Sequence, residues 1–359
     1  MPTGDFLMII TYLRSSFVST YKWCPLKAYI DYTLGYSGPG ILPAHRGTIY
    51  HRIMEILGHI KLSRQKQEET HYDDICGTID VNNFDLDEIE TKVYEYYSSR
   101  LVDLKGRQWT HKDLPEIKKW IKTTLEYNDG MINPLNKDIF ALEKNFNIEL
   151  TDEWARYSYD LADGSKLNGF LKLIGTIDNI AKVNDTTLEI LDYKSGQSRK
   201  DWSKNEDREK DYSDFEQDFQ LRLYHYALSK LYPEIENIIT SIYYVRAGGL
   251  FSLCFSKDDV EKTHLMIRDV FLEMKNNEHP KAVPSWKCLA FCNCGLQTYA
   301  ETDVKPIKEY RDGSHTKAGC DMSVCKQTEF ALEKRGMPLV TQHYGKANSH
   351  STYKNPGSV

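Results

Sequence analysis

Asp178, Asp192 and Lys194 are the residues whose types and spacing best suit chemistry. They lie in the segments Gly175-Thr176-Ile177-Asp178 and Leu191-Asp192-Tyr193-Lys194-Ser195. Two carboxylates can hold a hard divalent cation through oxygen. Such a cation activates water and stabilises negative charge on a phosphate. Lys194 stands two residues beyond Asp192, so on a strand the two side chains share a face and the ammonium can orient the attacking water. Metal-dependent hydrolysis of a phosphodiester requires that combination.

Local patterns indicate how these groups are positioned. The apolar run Leu171 to Ile177 leads into Asp178, and Leu188 to Leu191 leads into Asp192, with Asn184-Asp185 between them as a turn signal. The pattern predicts a hairpin that delivers each aspartate near the end of a buried strand. Upstream, Gly47 to Ile60 reads as a helix with Ile49, Ile53, Ile56, Leu57 and Ile60 on one face. His51 and Glu55 are one helical turn apart on a different face. A neutral imidazole there can ligate a divalent ion, with Glu55 in support; the same pair also suits an ordinary solvated helix surface. Ile139 to Leu150 reads as a strand carrying Glu143, a charge that would also suit a sheet edge or a lysine partner. Phe215 to Leu231 reads as an amphipathic helix. On it, Gln220 could hold Lys194 or a nucleotide, and Tyr224 could reach a base or phosphate or could sit half-buried in the core.

The remaining segments complete the outline. Thr11 to Tyr32 reads as helical, with Ser15 or Ser16 as cap, and Leu34 to Pro43 as a Gly/Pro loop. Residues 61–135 are polar with a helical pattern (Leu114, Ile117, Ile121, Leu125) and read as a helical insertion beside the core. Ile238 to Val245 is β-rich, Gly248-Gly249 turns into Leu250 to Phe255, and Asp258 to Lys275 is helical in pattern. The order helix–strand–strand–strand–helix–strand from Gly47 to Val245 predicts an α/β core. Its hairpin makes the central sheet mixed, not doubly wound and parallel.

Composition narrows the partners. A chain of 359 residues, 40% hydrophobic, can bury a large core. Its net charge of −6 leaves no global basic footprint, so a nucleic acid would be held by local basic patches or by metal ions. Lys22, Lys27, Arg46 and Arg52 are the candidates for phosphate contact. Arg199, Lys200, Lys204, Arg208 and Lys210 are interleaved with Asp201, Glu206, Asp207 and Glu209. That stretch suits a flap on a DNA backbone with Trp202 stacking on a base, or equally a solvated loop. No apolar run reaches the length of a membrane span, and Met1 to Ile10 lacks the basic region of a secretory signal. A cytoplasmic, reducing location follows as the expectation, with the eight cysteines free or metal-bound. The stretch after Tyr344 reads as disordered.

Taken in order, Gly47-x-x-x-His51, Glu143, Gly175-x-x-Asp178, Asp192-Tyr193-Lys194 and Gln220-x-x-x-Tyr224 resemble the motifs of the RecB-type branch of the PD-(D/E)XK nuclease superfamily. The resemblance covers roughly residues 11–295. It implies a restriction-endonuclease-like α/β fold, a mixed central sheet flanked by helices. The implied domains are N-terminal helices over 1–60, the helical insertion over 61–135, a nuclease core over 136–280, a Cys-rich segment over 281–343 and a tail over 344–359. It implies that His51, Asp178 and Asp192, with the Tyr193 carbonyl, bind Mg²⁺ or Mn²⁺, with Glu143 as a further candidate. It also implies Lys194 as the catalytic lysine, with Gln220 and Tyr224 completing the site. The implied activity is that of a DNA exonuclease acting at single-stranded ends, in recombination, repair or phage DNA processing, with a helicase or recombination protein as possible partner. An endonuclease of the same fold and an inactive DNA-end clamp are the alternatives.

Six cysteines bear on a second metal group. Cys24 precedes the core; Cys288, Cys292, Cys294, Cys320 and Cys325 follow it. Four thiolates can hold a 4Fe–4S cluster or Zn²⁺. Nucleases of the AddB kind carry an iron–sulfur staple with one cysteine before the core and three after it. The resemblance therefore implies a cluster on Cys24, Cys288, Cys292 and Cys325, with Cys294 and Cys320 as alternates. The long gap between Cys294 and Cys320 departs from that layout and leaves open a zinc site on Cys292, Cys294, Cys320 and Cys325. Cys76 and Cys254 read as ordinary thiols.

Overall fold

Thr187–Lys194 is buried along nearly its whole length, although its sequence includes the polar residues Thr187, Glu189, Asp192 and Lys194. A strand buried on both faces sits at the centre of a sheet with helices on either side, and the fold follows from that placement. The computed structural model of the protein describes residues 8–33, 40–104, 106–160, 166–196, 210–246 and 249–277, together with 280 and 283. The described chain forms two units, one from residues up to 33, 147–174 and 265 onward, the other from 40–146 and 175–264.

In the second unit the central strand is β8 (Thr187–Lys194). Its antiparallel neighbour is β7 (Lys172–Asn184), and its parallel neighbour is β9 (Asn237–Tyr244). Beyond β9 lies β10 (Leu250–Ser256), antiparallel to it, while β4 (Ile139–Glu149) pairs with β7. The sheet is therefore mixed, as the hairpin implied. Helix α3 (Leu42–Gln65) packs Ile49, Ile53, Ile56, Leu57 and Ile60 into the cluster containing Leu191, Tyr193 and Tyr243. The opposite face of β9 meets α6 (Tyr212–Glu216) and α7 (Phe219–Leu231), through Phe215, Leu221, Ile242 and Tyr244. Side chains alternate along a strand, so Asp192 and Lys194 share a face turned toward α7, while Leu191 and Tyr193 face α3.

Helix α3 is longer than Gly47 to Ile60. It begins at Leu42, with Pro43 in the first turn, where a missing N–H leaves nothing unsatisfied. The stretch read as one helix from Phe215 is two. Helix α6 ends at Glu216 with Gln217 as its C-cap, and Asp218 caps α7 by accepting from the Gln220 and Leu221 amides; an aspartate competes well for backbone donors at a helix start. Residues 61–135 are not wholly helical. Strands β2 (Thr70–Asp73) and β3 (Gly77–Asp80) form a hairpin ahead of α4 (Leu86–Ser98) and α5 (Asp113–Glu126). Asp73 stabilises the tip of that hairpin by accepting from the Ile75 and Cys76 amides. Such side-chain turns carry no helical or strand periodicity, so the pattern missed them.

The other unit corrects the reading of Thr11 to Tyr32 as one helix. A two-residue strand β1 (Tyr12–Leu13) pairs in parallel with the first residues of β7. It is followed by α1 (Ser15–Trp23), α2 (Pro25–Ala28) and a π-helical turn over Tyr29–Thr33. Pro25 forces the break after Cys24, since proline donates no hydrogen bond and clashes within a helix. Neither Ser15 nor Ser16 caps α1; Arg14 holds the capping position and its side chain makes no capping bond. The unit also contains the antiparallel pair β5 (Arg156–Asp160) and β6 (Lys166–Phe170). Helix α8 (Asp259–Lys275) closes the described order. The charged stretch 197–209 with Trp202, the cysteines from Cys288 to Cys325 and the segment after Tyr344 lie outside the described residues. Among the described residues, no helix is long and apolar enough to cross a membrane.

Candidate active site

Asp178 lies in the middle of β7, not near its end, and Asp192 is third from the end of β8. Asn179 pairs with Leu191 in the antiparallel ladder. Continued by one residue, that register sets Asp178 opposite Asp192, so the two carboxylates face each other across the hairpin. Three other elements close around them. Helix α3 brings His51 Nδ1 to 3.2 Å from Asp178 Oδ2. Its apolar stripe fixes the rotation of the helix, and the offset face noted in the sequence therefore points at the aspartates.

Two glycines of the motifs have steric roles. A Cβ at Gly47 would stand 2.5 Å from Ser195 Oγ, and one at Gly175 would stand 2.5 Å from Phe146 Cζ. The first allows α3 to approach the end of β8. The second allows the Phe146 ring to lie over β7, where it meets Tyr224 edge to face at 6.2 Å. Glu143 reaches the site by a different device. Its φ of +44° is in the left-handed region, which costs energy for any residue with a Cβ. This interruption of the regular pleat in β4 turns its carboxylate into the cleft.

Lys194, Asp192, Gln220 and Tyr224 form one connected network. Lys194 Nζ is 2.7 Å from Asp192 Oδ2 and donates to Gln220 Oε1 at 3.1 Å. Gln220 Nε2 donates to Asp192 Oδ1 at 3.3 Å and to the Tyr224 hydroxyl at 3.1 Å. Gln220 thus holds the lysine, one of the two roles the sequence allowed. Tyr224 is buried and bonds within the network.

The electrostatics of this network follow from burial. Burial raises the pKa of Asp192 above the usual carboxylate range; Lys194 opposes that shift and the facing Asp178 adds to it. Desolvation alone would lower the pKa of the Lys194 ammonium, but Asp192 outweighs it and the net shift is upward. Lys194 therefore stays protonated. Burial also pushes Glu143 up to about 7, with Asp178 and then Glu55 adding to the effect. Burial raises the Tyr224 phenol too, helped by Asp192 and Asp178. An excess of carboxylates faces one small volume, so each resists ionisation of the next.

An open cleft of about 420 Å³ leads to this centre. It is lined by His51, Glu55, Glu143 and Asp178, by Arg52 and Tyr97, and by Gly47 and Ser195 among smaller residues. Tyr97 and Ser195 were not legible as site residues. Tyr97 comes from α4, where no motif marks it, and Ser195 is visible only as the residue after Lys194. Arg52, a candidate for phosphate contact, is bound to Asp73, Asp74 and Glu55, the last at 2.6 Å. Arg46 is likewise taken by Asp113 and by Glu116, the latter at 2.8 Å, and Lys27 by Asp31 at 2.7 Å. The sequence displays these cations but not the carboxylates that long-range folding brings to them.

The donor set fits a hard divalent cation. It comprises two facing carboxylates, an imidazole and a third carboxylate, and oxygen-rich sets of this kind suit such ions. Asp192 Oδ2 is buried without a properly directed hydrogen bond, despite the nearby Lys194 ammonium. Among the described residues, no three His, Cys, Asp or Glu side chains are already gathered to hold an ion. Asp178 is turned to His51 and Asp192 to Lys194.

A family model described as the PD-(D/E)XK nuclease superfamily matches residues 15–295. That span contains every motif residue of the site. No curated protein matches the chain closely enough to count as a relative. Members of the matched superfamily are generally metal-dependent nucleases that act on DNA. The chain belongs to the PD-(D/E)XK nuclease superfamily.

Proposed function

We infer that the chain is a metal-dependent deoxyribonuclease that hydrolyses phosphodiester bonds from single-stranded ends. The observation that carries this reading is the Asp192–Lys194–Gln220–Tyr224 network set against the Asp178–His51 pair. His51, Asp178, Asp192, the Tyr193 carbonyl and Glu143 would hold Mg²⁺ or Mn²⁺. When bound, such an ion polarises the phosphate and makes water a better nucleophile near neutral pH. Lys194 donates to the attacking oxygen and faces the charge that builds on the phosphate. Gln220 fixes the lysine by accepting one of its N–H bonds. The burial of Tyr224 keeps the inner side of the network dry, which strengthens each of these interactions.

The test uses end-labelled linear and circular single strands with Mg²⁺, Mn²⁺ or EDTA. Degradation of linear strands alone, abolished by EDTA, is the expected result. Cutting of circles would replace the exonuclease reading with an endonuclease. Tight binding without cleavage under either metal would reduce the protein to a DNA-end clamp.

A RecB-type, AddB-like iron–sulfur staple on Cys24, Cys288, Cys292 and Cys325 belongs to the same reading. Cys24 is buried, and its sulfur accepts from the Val283 amide at 3.5 Å. That contact brings the chain ahead of Cys288 alongside Cys24. Anaerobically purified protein should contain iron and acid-labile sulfide. Zinc without sulfide would favour the alternative site on Cys292, Cys294, Cys320 and Cys325, and neither metal would remove both.

A further inference from the structure

Helix α4 belongs to the insertion, in which no motif was legible. The structure nevertheless brings one of its residues, Tyr97, into the lining of the cleft beside His51, Glu143 and Asp178. Among the described residues that line the cleft, it is the only tyrosine, tryptophan or phenylalanine. Its ring is half-buried against the core cluster that anchors α3. Tyr96 meets it edge to face at 5.2 Å and 82°, and the Arg100 guanidinium covers Tyr96 from 3.8 Å. The ring is thus held in place on one side and presented to the cleft on the other. An aromatic side chain immobilised before binding loses little further freedom when a ligand stacks on it.

The charges around Tyr97 narrow what that ligand can be. The charged groups that act on it are Arg52, Glu55 and Asp74. Arg52 is engaged by three carboxylates, which offset its charge. Glu55, which also lines the cleft and is not among the metal-binding carboxylates, repels a phosphate. A phosphodiester backbone therefore meets no net positive charge at Tyr97, whereas a neutral, flat and polarisable group can use the ring itself. Nucleobases are such groups, and every base offers a π-face. Tyr97 lines the same cleft as His51, Glu143 and Asp178, so a base against its ring adjoins the phosphate held at the metal-binding carboxylates. The small residues Ala44, Gly47 and Thr48 line the cleft along the preceding turns of α3 and leave room for the strand.

We propose that Tyr97 is the stacking platform for an unpaired nucleobase next to the scissile phosphate, so that the cleft takes a single strand with that base turned out. The proposal deepens the nuclease reading and rests on it. A base in a duplex is already stacked and paired, so duplex DNA must be opened before it can use the platform.

The test combines Tyr97 variants with an abasic scan of a single-stranded oligonucleotide. Tyr97→Ala should raise KM by about 10-fold or more, the scale of one base–aromatic stack, and change kcat much less. Tyr97→Phe keeps the π-face and should recover most of that loss. Tyr97→Leu keeps bulk without a π-face and should resemble Tyr97→Ala. For the wild-type protein, an abasic site at one position beside the cleaved bond should raise KM by a similar factor. It should add nothing further in Tyr97→Ala, because the stack is already gone. Equal abasic losses in both proteins, or full activity of Tyr97→Leu, would overturn the proposal. If wild-type protein cleaves no strand, the nuclease reading has failed. The same scan read by fluorescence anisotropy still decides the stacking inference: binding indifferent to the abasic position, or no binding at all, refutes it.

Discussion

Asp192→Ala protein is expected to lose cleavage by about 10³-fold or more with either Mg²⁺ or Mn²⁺, while keeping the circular dichroism of the folded chain. Asp192 is the most confined carboxylate of the site, its side chain 5% exposed, and it holds Lys194 at 2.7 Å. Removing it takes away a candidate metal ligand and the anion that positions the lysine. The fold should tolerate the change because Lys194 is 34% exposed and can turn its ammonium to water. Lys194→Met should lose activity on a similar scale for a different reason. It leaves the carboxylates in place and frees Asp192 from its competing cation.

Thermal unfolding separates the two roles. Mn²⁺ binds only the folded protein and therefore raises Tm by linkage. That rise should persist in Lys194→Met and largely vanish in Asp192→Ala. An undiminished Mn²⁺-induced rise in Asp192→Ala would mean that Asp192 is not a ligand, and the metal-site assignment would fall with it.

Arg52→Ala should destabilise the protein by about 3 kcal/mol, the scale for leaving a buried carboxylate without its cation. Asp73 is the reason: its side chain is 3% exposed, and Arg52 is its cationic partner. Asp73 also organises the tip of the β2–β3 hairpin through the Ile75 and Cys76 amides, so the damage should centre on that hairpin and on its packing against α3. Chemical denaturation measures the loss. DNA affinity supplies the contrast, because an arginine lost from a phosphate contact lowers the dependence of binding on salt. Here the salt slope should be unchanged. A shallower slope with unchanged stability would restore Arg52 to the DNA path.

The behaviour of Arg52 shows where reading the chain by itself stops. The hairpin of β7 and β8 was legible because apolar runs, a turn pair and an aspartate after each run are short-range signals. The helical face bearing His51 and Glu55 was legible for the same reason, since one turn of helix fixes which residues are neighbours. Local pattern did less well where side chains rather than periodicity end an element. Pro25, Asp218 and Asp73 each divide or cap a segment that the pattern alone ran together or missed.

Residue types and their order along the chain were sufficient for the mixed α/β architecture, for superfamily membership and for the short list of groups able to do the chemistry. Folding alone settled the left-handed turn that aims Glu143, the carboxylates that occupy Arg46 and Arg52, and the arrival of Tyr97 at the cleft. Each depends on partners far apart in sequence, and side-chain periodicity carries no information about which distant charge or ring will pack alongside. Such pairings are chosen by burial, because a confined charge without an opposite partner is costly.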